Sequence, residues 1–189
     1  MQLRIKLAAV AVAGAASVGL AGVPALASSQ ATASRTVTGP EVIAGAVHGK
    51  RALANNTIIP LRLLGVVNTR SVVNLGGSGP RKGSTKTLHT GAGILTLRVT
   101  SKAQSSQSFN KRTCRFSFTE DIVLAAVGSR STGAFAGASG PGAVQIFFAA
   151  TAPRFKSGPK QGQCNFNGQP HARGAVASFL GSLVLTVAR

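Results

Sequence analysis

The stretch from Thr113 to Ala152 constrains this chain more than any other, because it holds two β-type runs joined by a segment in which glycine recurs every few residues. Val and Phe alternate with small or polar residues from Arg115 to Val127 and again from Ala143 to Thr151, the period of strands with one buried face. Between and beside them, Gly128, Gly133, Gly137, Gly140 and Gly142 offer positive φ or close backbone approach. The segment predicts a broad hairpin whose turn is shaped by Gly133, Gly137, Gly140 and Gly142, with Ala134, Ala136 and Ala138 allowing tight backbone packing.

The remaining segments read in the same way. Glu41 to Val47 alternates weakly and predicts a short edge strand. Thr57 to Leu75 is dense in β-branched residues and predicts a hairpin, with Pro60 holding its start at an edge or bulge and Asn68-Thr69-Arg70 as its turn. Leu88 to Thr100 predicts a half-buried strand with Leu95, Leu97 and Val99 on one face and Thr96, Arg98 and Thr100 on the other. Gly76 to Ser84, Ser101 to Lys111 and Pro153 to Arg173 predict loops. Ala175 to Val187 is apolar on both faces, Phe179, Leu183, Leu185 and Val187 against Leu180, Val184 and Ala188, which places it mid-sheet beside an early strand. Outside the leader no long segment carries a helical period. The expectation is an all-β fold, a single antiparallel barrel of calycin or dirigent type or a sandwich, forming one domain over 41–189.

Ahead of that domain, residues 1–27 have the form of a cleaved secretory signal helix: Arg4 and Lys6, an apolar run from Leu7 to Val23, and Ala25-Leu26-Ala27 as a small-x-small cleavage site. Gly14, Ser17, Gly19, Gly22 and Pro24 interrupt the run and favour cleavage over a retained anchor. Residues 28–40 are rich in Ser, Thr and Ala and predict a disordered leader. Export would place the protein outside the cell or at its envelope, under oxidising conditions. There Cys114 and Cys164, the two cysteines of the chain, are expected to form a disulfide. Closing a loop of about 50 residues stabilises a fold by roughly 4 kcal/mol on loop entropy.

The whole chain has a formal charge of +18, and loses two cations with the leader. Most cations therefore lack an acidic partner and face solvent or an anionic surface. Lys50-Arg51, Arg81-Lys82 and Lys111-Arg112 are the local pairs and the expected anion contacts. Specific nucleic-acid recognition is not expected, since Tyr and Trp for stacking are absent and no recognition helix is visible.

Ser131 to Gly140, STGAFAGASG, resembles the G-x-G/A-x-F-x-G-A-x-G segment of small barrels of the dirigent and allene oxide cyclase type. From Leu61 to Val187 the pattern also resembles secreted actinobacterial proteins of unknown function that share a Cys-x-Phe-x-Phe strand, this GAFAGASG turn and a second cysteine in a late loop. The barrel resemblance implies an eight-stranded barrel whose apolar interior admits one small ligand. Such barrels set acidic or polar residues in the cavity, where only Glu120 and Asp121 could serve; as strand neighbours they face opposite ways and cannot act as an acid-base pair. Both are expected to pair with nearby Lys or Arg at a strand end.

Catalytic chemistry is not visible. His48, His89 and His171 are scattered, without the spacing of a metal site, and no GxSxG elbow is present. Lys82 precedes Gly83, the reverse of the order in a phosphate loop. No catalytic residue, metal or cofactor is expected. The expectation for function is a secreted, non-enzymatic protein that binds an anionic envelope polymer or lipid through a basic surface. The alternative is a barrel that binds, or guides the cyclisation of, a small hydrophobic ligand in an internal pocket, which an interior filled by Phe116, Phe118, Phe148 and Phe179 would exclude.

Overall fold

Thirteen consecutive residues of the first strand, Thr36 to His48, pair with the last strand from Ala188 back to Val176, and this pairing closes the sheet on itself. The computed structural model describes residues 35–75 and 80–188; the predicted signal and residues 28–34, with Gly76 to Gly79 of the second loop, lie outside them. The described residues form one closed antiparallel barrel in which each strand pairs with the next in sequence: β1 Thr36–His48, β2 Ile58–Gly65, β3 Thr69–Asn74, β4 Thr85–Thr90, β5 Gly93–Asn110, β6 Arg115–Ala126, β7 Pro141–Thr151 and β8 His171–Ala188. Eight strands is the number implied by the barrel resemblance, and the central hairpin is β6 paired with β7 from Arg115–Thr151 down to Ala125–Pro141.

Several elements differ from expectation. β1 starts at Thr36, so residues 36–40 of the expected leader are strand, and β1 is no edge strand: it pairs with β8 along its whole length and with β2 over Glu41 to Ala44. The β2–β3 turn is Val66 to Asn68; Thr69 and Arg70 already pair with Leu63 and Arg62. Leu88 to Thr100 holds two strands, since the chain reverses between Thr90 and Gly93. The expected loop Ser101 to Lys111 is strand as far as Asn110. Its polar composition hid it, but the Phe-bearing half of β6 offers a full ladder, and the pair extends past the barrel as a solvent-exposed arm with register shifts at Val99/Ser101 and Gln104/Ser106. β8 starts at His171, inside the expected loop Pro153 to Arg173. It does lie between β1 and β7, yet its second apolar face is uncovered: Leu180 and Val184 stand on the outer wall, 57% and 52% exposed.

Leu95, Leu97 and Val99 point inward and are buried, as the alternation requires, with Arg98 and Thr100 outside. Thr96 is the exception: it is outward but 3% exposed, because the β6–β7 connection folds over it and Ser131 Oγ and the Arg130 carbonyl satisfy its N–H and hydroxyl. That connection is a plug as well as a turn. It makes two 3-10 turns, Gly128–Arg130 and Gly133–Phe135, pairs with Ile94 of β5 through Thr132, bridges to β8 through Ser139 and Thr186, and buries Phe135 completely in the core. Ala138 is buried with it, whereas Ala134 and Ala136 are exposed, Ala134 donating its N–H to the Ala92 carbonyl. The end of the barrel formed by the β2–β3, β4–β5 and β6–β7 connections is therefore sealed.

Two glycines of the connection have different reasons to be glycine. Gly140 has φ +135°, and a Cβ there would sit 1.7 Å from the Val184 carbonyl oxygen; Gly137 has φ +69° and open space around it. Gly137→Ala should cost about 1–2 kcal/mol, the left-handed penalty alone, and Gly140→Ala at least twice that. Urea unfolding of the two variants checks the order; equal costs would show that the connection is not docked on β8.

Candidate binding site at the barrel mouth

The opposite end of the barrel is open. It is built from the connections after β1, β3, β5 and β7, and the β5–β6 arm rises from its rim. Cys114 and Cys164 are disulfide-bonded, so the loop between β7 and β8 is tied to the arm's tip. Cys114 sits in the tip turn with φ +56°, one residue before β6. The Arg154 guanidinium adds a second tie by donating to the carbonyls of Gly162 and Arg112.

Phenylalanines line the inner face of this superstructure. Phe118 and Phe148 stack with ring centroids 5.1 Å apart, Phe116 continues the row 5.9 Å from Phe148, and Phe109 and Phe166 close it at the tip, 5.1 Å from each other. Below the row, the barrel interior is filled by Leu, Ile and Val with Phe179; the void bounded by Val73, Leu97, Ile122, Ile146 and Phe179 is about 20 Å³. Of the four Phe whose filling of the interior would count against an internal pocket, only Phe179 lies in the core, at 6% exposed; Phe116, Phe118 and Phe148 are half-buried above it. There the packing stops and a cavity of about 570 Å³ opens at the mouth. Its walls are Ile146, Phe118, Phe148 and Ala177 on the sheet, the loop Ala52 to Asn55 with Thr57, Leu75 with Pro80, and Gln169 with Pro170. Lys102 and Glu120 stand in the same wall as an ion pair, Nζ to Oε1 at 2.9 Å. Glu120 thus has the cationic partner expected for it, though in the middle of β6 and not at a strand end. Asp121 faces the outer wall and accepts a hydrogen bond from the Gln145 amide.

The fold gathers cations that look dispersed in sequence. Lys50 and Arg51 stand on the first mouth connection, Arg81 and Lys82 on the second, Lys102, Lys111, Arg112 and Arg115 on the arm, Arg154, Lys156 and Lys160 on the disulfide loop, and Arg173 at the start of β8. With Lys86, at the start of β4, thirteen stand at the mouth end, against five described elsewhere: Arg35, Arg62, Arg70, Arg98 and Arg130. All six expected anion contacts, Lys50, Arg51, Arg81, Lys82, Lys111 and Arg112, are exposed and at this end. The expected turn glycines Gly133, Gly137, Gly140 and Gly142 lie at the sealed end or on the β7 start beside it. His48, His89 and His171 are exposed and apart, and among the described residues no group of three His, Cys, Asp or Glu could hold a metal ion.

Sequence reasoning missed Lys102, Phe109, Phe166 and the Ala52 to Asn55 wall, since each takes its place through pairing or loop packing distant in sequence. Compared with known protein families, curated proteins and solved structures, the chain matches none. Function is therefore argued from the geometry of the mouth.

Glu41, the third acid, is at the other end. Its side chain is fully buried among inward-facing residues of the sealed end, where Oε2 accepts from the Val67 N–H at 2.9 Å. Burial pushes its carboxyl above the ordinary value, opposed by hydrogen bonds from the Val67 and Val66 backbone. The folded state then holds this proton to higher pH than the unfolded chain does, so stability falls as pH rises above the ordinary carboxylate range and levels off beyond the folded value. Glu41→Gln removes this loss. Its stability relative to the native protein should grow between acidic and neutral pH in denaturant unfolding; a pH-independent difference would show that Glu41 is ionised in the fold.

Proposed function

We propose that this is an exported, non-enzymatic binding protein that attaches to an anionic polymer or lipid surface through the mouth end of its barrel. The observation that carries this reading is the gathering of thirteen of the described Lys and Arg at one end, where Glu120 is the only described acid in the cavity wall. Three of the four mouth connections bring a neighbouring cation pair, so a flat polyanion can be met by several loops at once. The arm and disulfide loop extend that surface beyond the barrel, and their ties to each other hold the cations at fixed spacing, which lowers the ordering cost of contact. Oxidising surroundings for the disulfide agree with export.

Attachment of this kind weakens steeply with salt. The test compares two quadruple charge reversals in binding to phosphatidylglycerol vesicles at low salt. One carries Lys50→Glu, Arg51→Glu, Lys111→Glu and Arg112→Glu; the other carries Arg62→Glu, Arg70→Glu, Arg98→Glu and Arg130→Glu. Each basic residue near an anionic surface contributes about 1 kcal/mol, so the first set should lower binding by at least about a hundredfold and the second by far less. Equal losses would mean that net charge, and no particular face, governs adsorption.

A further inference from the structure

We propose that the mouth cavity holds the apolar tail of a single-chain anionic amphiphile, a carboxylate or phosphate monoester whose head group is received by Lys102 and the cations of the rim. The inference rests on the reading of the mouth as an anion-binding end, and names what that end takes in. Electrostatic adsorption alone needs no concavity. Yet the centre of the cationic end is a cavity of about 570 Å³ walled by Phe118, Phe148, Ile146, Ala177, Leu53 and Pro80, within the range of sites that enclose a small organic ligand. Apolar wall left in water is unfavourable by about 25 cal/mol per Å², and an apolar guest recovers that.

The cavity's shape and chemistry select the guest. Its floor is the packed barrel core, so a tail enters from the mouth and its head stays at the mouth. One chain or ring system suits the volume better than the two long chains of a bilayer lipid. Among the described residues of the wall Lys102 and Glu120 are the only charged groups, and at 2.9 Å they neutralise each other when the cavity has no anionic guest. An acidic head group competes with Glu120 for the Lys102 ammonium, and a neutral tail has no claim on it. Asn55, Thr57 and Gln169 supply further polar atoms in the same wall. A cationic head group would meet the repulsion of the surrounding Lys and Arg.

Calorimetric titration of the purified protein with octyl phosphate, octanol and inorganic phosphate, all below micellar concentration, separates tail from head. Octyl phosphate should bind at least about tenfold tighter than either of the others, since it joins tail burial to charge. Three single substitutions then read the geometry. Ala54→Trp, at an exposed wall position whose side chain packs no core, should obstruct the opening and weaken octyl phosphate by about tenfold with the unfolding midpoint unchanged. Lys102→Gln should weaken it, and Glu120→Gln should tighten it several-fold by freeing Lys102. Octyl phosphate binding no tighter than phosphate, or unaffected by both Ala54→Trp and Lys102→Gln, overturns the proposal. Vesicle binding separates its failure from that of the surface reading: vesicle attachment without a preference for octyl phosphate overturns the cavity assignment alone. Octyl phosphate binding through the cavity in a protein that ignores anionic vesicles overturns surface attachment alone and marks a soluble amphiphile as the source.

Discussion

Closure of the sheet by β1 against β8 is the constraint from which the other features follow. The pairing runs the full length of β1, and it turns a row of eight strands with two sticky edges into a ring with none. In a closed antiparallel ring every connection lies at one end or the other, so the chain must distribute its loops between two ends. Here the division is unequal. The β6–β7 connection, with the short β2–β3 and β4–β5 turns, seals one end, and the longer connections and the arm surround the other.

That inequality separates a packed end from an open one. At the sealed end Phe135 and the inward-facing Leu, Ile and Val residues complete a core with almost no void, and even Glu41 is drawn into it. At the open end the packing gives way to half-buried phenylalanines, held at fixed spacing by the Cys114–Cys164 disulfide and the arm's long ladder. Rigid aromatic walls surrounded by cations combine two attractions, one for apolar surface and one for negative charge. The three acids are spread over different environments: Glu120 in an ion pair at the mouth, Asp121 on the outer wall and Glu41 sealed in the core.

Much of the barrel was legible in the sequence, because alternation is a local signal: Leu95, Leu97 and Val99, or Phe179, Leu183, Leu185 and Val187, announce their inward face without knowledge of the partner strand. The disulfide was legible because two cysteines admit one pairing. Ser101 to Asn110 was not, since its strand character is imposed by β6 and its side chains are polar on both faces. The mouth was largely hidden for the same reason. Lys102 meets Glu120 across a ladder with two register shifts, and cations from Lys50 to Arg173 share one end through the up-and-down order of the strands, a property no sequence window contains. The glycine-rich run reads in the sequence as a turn; its role as a plug depends on Phe135 reaching the core, which no local pattern shows.

The central claim is that one end of this barrel meets its partner and the other holds the fold together. Hydrogen-deuterium exchange of the protein bound to phosphatidylglycerol vesicles, compared with the free protein, tests it most directly. Protection confined to the mouth connections, 49–57, 80–84, 111–114 and 153–170, with the 127–140 connection unchanged, is the predicted result. Protection centred on 127–140, or spread evenly along the outer wall of β8, β1 and β2, would contradict it.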